Sequence, residues 1–139
     1  MKMYFLDRKN LDLAFHIRRE VFIKEQNIDE NIEIDGSDEY AKNMILELDN
    51  VPVATSRLIK IENKIYIGRV CVLKEYRKKG YAKNMINFLL DNAKDMGYKE
   101  VFIHSQAYLK DFYKNIGFVQ FGDEFLEAGI VHIHMKIDI

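Results

Sequence analysis

At 139 residues the chain has the length of one domain, and it is too short for two independent cores of ordinary size. Hydrophobic residues make up 48% and aromatics 12%, ample material for a packed core, while 21 basic and 22 acidic side chains leave a net charge of −1 and no global case for nucleic acid or an acidic membrane surface. A single cysteine, Cys71, excludes an intramolecular disulfide and a Cys-based zinc site.

The first residues, MKMYFLDRKN, lack the apolar core of a signal peptide, and no apolar run approaches the roughly 18 residues of a membrane span, so a cytoplasmic protein is expected. Lys2 to Asp7 reads as a short strand. From Asn10, its expected cap, Leu11, Ala14, Phe15, Val21 and Phe22 recur at helical spacing and predict a helix over 10–26. The acidic stretch 27–39, with Gly36 inside, reads as a loop or a broken short helix. Met44 to Asp49 and Val53 to Ile61 are strands joined by a tight turn at Asp49-Asn50, and a turn near Asn63-Lys64 leads to a strand over 65–73. Then Ala82, Met85, Ile86, Leu89, Leu90, Ala93 and Met96 form one apolar helical stripe that Gly97 ends. Val101 to Ser105 is a strand, Leu109 to Ile116 a short helix closed by Gly117, and Phe118 to Phe125 and Ile130 to Ile137 form a hairpin around Ala128-Gly129.

Consecutive hairpins require antiparallel pairing, whereas the β-α-β crossover at 65–105 requires a parallel neighbour. The expected fold is a single α/β domain over 1–139: one mixed, mostly antiparallel sheet of about seven strands with helices on both faces.

Function is argued from residues 67–90, IGRVCVLKEYRKKGYAKNMINFLL. A strand ends in the basic turn Arg77-Lys78-Lys79-Gly80, and a helix starts on that turn. Free N–H groups and the positive end of the helix dipole make such a place a cradle for phosphate, and Lys78, Lys79 and Lys83 add full charges. No GxxxxGK[ST] is present, which excludes a P-loop, and no GxGxxG, which argues against a dinucleotide site.

The segment VCVLKEYRKKGYAKNMI resembles the acyl-CoA signature of the GNAT N-acetyltransferases: an apolar strand, an [RQ]-x-x-G-x-[GA] turn and an amphipathic helix. A second match, Phe112-Tyr113-Lys114-Asn115-Ile116-Gly117-Phe118, is similar to the family's [LF]-Y-x-x-x-G-F segment. Ile17-Arg18, Glu25-Gln26, Ile34-Asp35-Gly36, IGRV at 67–70, SQAYLKDFY at 105–113 and GIVHIHM at 129–135 extend the likeness to the ElaA-type branch over nearly the whole chain. The resemblance implies the acyl-CoA N-acyltransferase (GNAT) fold and acetyl-CoA as co-substrate. It implies that Val70, Cys71 and Val72 face the pantetheine and thioester, and that Lys78, Lys79, Gly80, Tyr81, Ala82 and Lys83 wrap the pyrophosphate. Gln106 falls where the family often has an Asn that contacts the cofactor. Tyr113 is implied as the acid that protonates the leaving thiolate, and a phenol with a pKa of about 10 holds that proton at neutral pH.

The proton acceptor is less marked. His104, on the strand after the crossover, is a candidate base, although a lone strand histidine is usually structural. Glu25, Glu33 and Asp35 are candidates for an acidic rim that attracts a cationic amine. Arg18 falls on the apolar face of the first helix, where a buried ion pair is the default and contact with a substrate anion the sharper option. His132 and His134 share a strand face but lack an obvious third ligand, so no metal is assigned. Cys71 reads as packing or channel lining. The expected activity is acetyl transfer to a primary amine by a monomer or homodimer. Its rivals are a non-catalytic acyl-CoA-binding or regulatory module and a nucleotide- or phosphate-sensing domain.

Overall fold

The computed structural model describes all residues from Met1 to Ile139. Seven strands form one sheet in the order β1-β2-β3-β4-β5-β7-β6. They are β1 (Lys2–Phe5), β2 (Ala41–Leu48), β3 (Val51–Ile61), β4 (Lys64–Val72), β5 (Glu100–Gln106), β6 (Val119–Glu127) and β7 (Ile130–Asp138). The β4–β5 pair is parallel and every other pair antiparallel, as the crossover and the hairpins require.

Alternation along β2 sorts the two faces. Met44 and Leu46 enter the larger core with Met85, Ile86, Leu89, Leu90 and Ala93 of α3 (Tyr81–Asp95). Ile45 points the other way and packs with Ala14, Ile17, Val21 and Phe22 of the first helical segment and with Cys71. Helices therefore cover both faces. The end of α3 follows from Gly97 at φ +95°: Tyr98 N–H bonds the Ala93 carbonyl and Gly97 N–H the Lys94 carbonyl, a Schellman closure. Met96 lies at that cap and is exposed, so it is not part of the buried stripe.

The hairpin turns are as short as the sequence suggests. Asp49-Asn50 and Ala128-Gly129 carry positive φ at both residues, the twist that a two-residue hairpin favours. The β3–β4 turn is Glu62-Asn63, one residue earlier than expected.

The first helix departs from the expected 10–26. A 3₁₀ turn at Arg8–Asn10 is capped by Asp7, which accepts from Lys9 N–H and from the Asn10 side chain, so Asn10 is not the cap. The α-helical part, α1, covers Asp12–Arg18 and continues as a π-helix over Arg19–Glu25. The wider turn is seen in Gln26 N–H bonding the Val21 carbonyl. The acidic stretch contains a one-turn helix, α2 (Glu30–Glu33), and a 3₁₀ turn at Ser37–Tyr40.

The geometry that matters for function lies between β4 and β5. Their parallel ladder holds only Tyr66 with Phe102 and Ile67 with Ile103. Beyond that point β4 carries a bulge against β3: Thr55 faces Cys71 and Arg57 faces Gly68, so Arg69 and Val70 share the single residue Ser56, and Arg69 takes φ +51°. A bulge bends its strand, and here β4 leaves β5 where the bulge begins. The two strands diverge as a V.

Candidate functional site

The V opens into two adjoining cavities. The smaller, about 380 Å³, is walled by Val70–Val72, by Tyr76–Lys78 and Gly80–Lys83 of the turn, and by Leu109, Phe112 and Tyr113 near and on α4 (Lys110–Ile116). The larger, about 780 Å³, runs between the α1–α2 region and the β6–β7 hairpin, with His104, Gln106, Glu127 and His132 on its sheet side. Val70, Cys71, Arg77, Lys78, Leu109 and Tyr113 line both, so the two spaces meet at the free end of β4.

The turn has the construction that an anion requires. Gly80 sits at the helix start with φ +85°, a conformation costly for any residue with a Cβ. No side chain caps α3, and the N–H groups of Gly80, Tyr81, Ala82 and Lys83 meet no acceptor within the chain. Lys78 also adopts positive φ, at +63°. Lys79 lines neither cavity; its ammonium lies 6.0 Å from the Tyr76 ring centroid.

Arg77 does not face outward with the lysines. Its Nε donates to the Val72 carbonyl at 2.9 Å, and its Nη atoms form a forked pair with Glu25 at 2.9 and 2.7 Å. Beside it, the Gln106 amide donates to Gln26 Oε1 at 2.9 Å. The end of the π-helix is thus tied to both arms of the V. Glu25 is committed to Arg77 and is not a free rim carboxylate. Gln106 lines the larger cavity, not the one at the turn.

Tyr113 is buried at 4% exposure, with its ring against Phe112 and Phe118. Its hydroxyl makes no hydrogen bond in the chain. Burial pushes the phenol well above its ordinary value, with the charges of Tyr108 and Cys71 adding to the effect, so the proton stays in place at neutral pH. Cys71 is buried as well, and its thiol is pushed far up by burial and then by Glu33; an inert lining residue is the result.

Arg18 is not a substrate contact. It is fully buried, and its guanidinium is used up: Nε donates to Glu33 Oε1 at 2.6 Å, Nη1 to Asp38 Oδ1 at 2.8 Å and Nη2 to the Glu33 carbonyl at 2.8 Å. Glu33 is likewise no rim residue; it is 3% exposed, and its second oxygen lies 2.9 Å from Arg69 Nε. Arg57 Nη1 shares Asp38 Oδ1 at 3.0 Å. Burial disfavours both charges of the Arg18–Asp38 pair, yet their mutual bond prevails: Arg18 is held above its usual value and Asp38 below the usual carboxylate range. Asp35 alone of the three acidic candidates lines the larger cavity with a surface position, and its carboxylate accepts from Ser37 N–H at 3.0 Å.

The sequence reading missed Glu127. It lies at the end of β6 in the larger cavity, 3.6 Å from His104 Nδ1 and 3.4 Å from His132 Nε2. Nothing local marks it, because its partners come from β5 and β7. No group of three or more His, Cys, Asp or Glu side chains is placed to hold a metal ion, and no helix is long and apolar enough to cross a membrane.

Comparison with known proteins decides the family. The acetyltransferase (GNAT) domain family matches residues 13–139. The chain belongs to the GNAT acetyltransferase family. It is 32% identical over 133 residues to the N-acetyltransferase YjcF of Bacillus subtilis, with 95% of each chain covered. Escherichia coli ElaA, at 26% identity, superposes with a TM-score of 0.88 over 99% of both chains. A GNAT family acetyltransferase of Elizabethkingia anophelis, crystallised with acetyl-CoA bound, shares the fold at a TM-score of 0.78 and 13% identity, over 99% of this chain and 97% of that one. The seven-stranded sheet is thus the acyl-CoA N-acyltransferase fold, and this GNAT chain is an acyltransferase with an ElaA-like architecture.

Proposed function

We propose that this GNAT protein transfers the acetyl group of acetyl-CoA to a primary amine by direct attack in a ternary complex. One observation carries the reading: the two cavities meet at Val70, Cys71 and Tyr113, so a thioester entering along the turn and an amine entering from the larger space arrive at one place. The acetyl-CoA bound by the Elizabethkingia protein of the same fold supports the choice of donor.

The turn amides from Gly80 to Lys83, with Lys78 and Lys83, receive the pyrophosphate, and Lys79 adds long-range charge. Val70, Cys71 and Val72, which have no β5 partner, leave a backbone edge for the pantetheine, and an N–H of that edge polarises the thioester carbonyl. Holding both reactants in attack geometry supplies up to roughly 7–11 kcal/mol of the barrier reduction in favourable cases. The ammonium loses one proton before attack. The nitrogen lone pair then forms the C–N bond, the C–S bond breaks, and Tyr113 gives its proton to sulfur and regains one from the new amide nitrogen. The sum is RNH₃⁺ plus acetyl-CoA giving RNHAc, CoA thiol and one proton to solvent.

Tyr113→Phe tests the reading, because it removes one hydroxyl and keeps the buried ring. Turnover should fall about 10²-fold or more while CoA affinity in calorimetry stays within about twofold. Unchanged turnover contradicts the acid role.

A further inference from the structure

We propose that His104 is the base that takes the acceptor's ammonium proton, and that Glu127, held between His104 and His132, is its positioning residue. The inference rests on the acetyl-transfer reading above and assigns its missing proton acceptor.

Place is the first argument. His104 follows Ile103, the last β5 residue paired with β4, so it stands at the root of the V. It lines the larger, acceptor-side cavity and not the cavity at the turn. Its ring is packed by Tyr66, Phe125 and His134 at centroid distances of 5.3, 5.0 and 5.0 Å, which limits its rotation.

Hydrogen-bonding capacity is the second. Nδ1 faces Glu127 Oε1 at 3.6 Å, and Nε2 has no partner in the chain. A proton on Nδ1 directed at a carboxylate leaves the Nε2 lone pair free, the tautomer that a base needs. Glu127 is itself fixed from the far side. Its Oε2 lies 3.4 Å from His132 Nε2, and His132, at 6% exposure, sets its Nδ1 2.8 Å from the Ile130 carbonyl. The Ile130 carbonyl thus fixes the His132 ring, whose Nε2 edge faces the Glu127 carboxylate from β7.

The surrounding charges are few. His134 faces His104 across the β5–β7 ladder, and Lys64 and Arg69 approach from β4, where Arg69 is already paired with Glu33. Tyr66 is the remaining titratable neighbour. The close approach of His104, against the effect of partial burial and with the fields of His132 and Arg69, holds Glu127 below the usual carboxylate range, so it is ionised at neutral pH. In the step itself a proton passes from the ammonium nitrogen to His104 Nε2. The N–H bonding pair stays on nitrogen for attack, and the imidazolium, facing Glu127, later releases the proton to solvent.

The test uses the full chain with acetyl-CoA and the best amine from a primary-amine panel. Glutamine variants at 104 and 127 are compared with wild type by kcat/KM against pH. His104→Gln should lose about 10²-fold and its ascending limb should disappear. Glu127→Gln should lose about tenfold; Glu127→Asp should restore part of it. A His104→Gln profile identical to wild type overturns the base, and a Glu127→Gln profile identical to wild type overturns the positioning role. Carboxyl ¹³C NMR, with no substrate present, reads the pair alone: the Glu127 titration should rise toward the ordinary glutamate range in His104→Gln, and an unmoved titration overturns the pairing. A wild-type protein that acetylates no amine refutes the acetyl-transfer reading instead, and the NMR result still judges the pair.

Discussion

Removing Arg18 tests how the floor of the acceptor cavity is held. Arg18→Met keeps an unbranched apolar side chain of comparable reach and deletes the charge. The lost contacts are three bonds of 2.6, 2.8 and 2.8 Å, two to carboxylates and one to a carbonyl, all without solvent exposure. Charge-assisted bonds contribute about 1.5–3 kcal/mol each, and breaking a buried pair by removing one partner costs about 3–5 kcal/mol. Glu33 keeps Arg69 and Asp38 keeps Arg57, so neither carboxylate is left alone. These residual partners place the expected loss at the bottom of that range, about 3 kcal/mol. A chain of this length has a stability of roughly 7–20 kcal/mol at 0.05–0.15 kcal/mol per residue, so the variant still folds. Urea denaturation followed by far-UV circular dichroism measures the change. A loss below about 1 kcal/mol would refute the reasoning, because it would mean that the buried carboxylates do not depend on the guanidinium.

Three further outcomes follow from the same structure. Gly80→Ala should weaken CoA binding with little change in fold: a Cβ at this position meets nothing within 4 Å, but φ +85° costs an L-residue about 1–3 kcal/mol and shifts the amides that follow; calorimetry with CoA checks it. The double change Lys78→Ala, Lys83→Ala should lower CoA affinity and flatten its salt dependence, measured between low and high ionic strength. Asp38 has a folded pKa depressed below its unfolded value, so its stabilisation is present above the unfolded pKa and is lost as pH falls through the folded one. Asp38→Asn should therefore be less stable than wild type near neutral pH, with the difference shrinking toward acid pH in thermal melts.

The parts legible in the sequence are those with local causes. The α3 stripe is set by residue spacing and its end by Gly97, so only the terminal Met96 was misassigned. The turn at Asp49-Asn50 and Gly129 of the last hairpin follow from residues that tolerate positive φ, whereas Glu62 and Ala128 adopt it with no such local signal. The parallel pairing of β4 with β5 was implied by the crossover, but their divergence, and its cause in the bulge at Arg69-Val70, have no signature in a strand pattern. What escaped the sequence is mostly charge pairing over distance. Glu25 and Arg77 are 52 residues apart, and Arg18 and Asp38 are 20 apart. An acidic residue in a polar loop gives no sign that it will be buried against an arginine. Glu127 was silent for the same reason: it gains meaning only when β5, β6 and β7 bring His104 and His132 beside it.

The central claim is that this chain uses acetyl-CoA to acetylate a primary amine. The most direct measurement is CoA thiol release from acetyl-CoA across a panel of amines, amino sugars and peptides with free N-termini, with mass detection of the product. Thiol release that depends on one class of amine, with an acetyl added to it and lost in Tyr113→Phe, is the predicted result. Release that is the same with and without every amine, or tight ATP binding with no CoA binding, would contradict it.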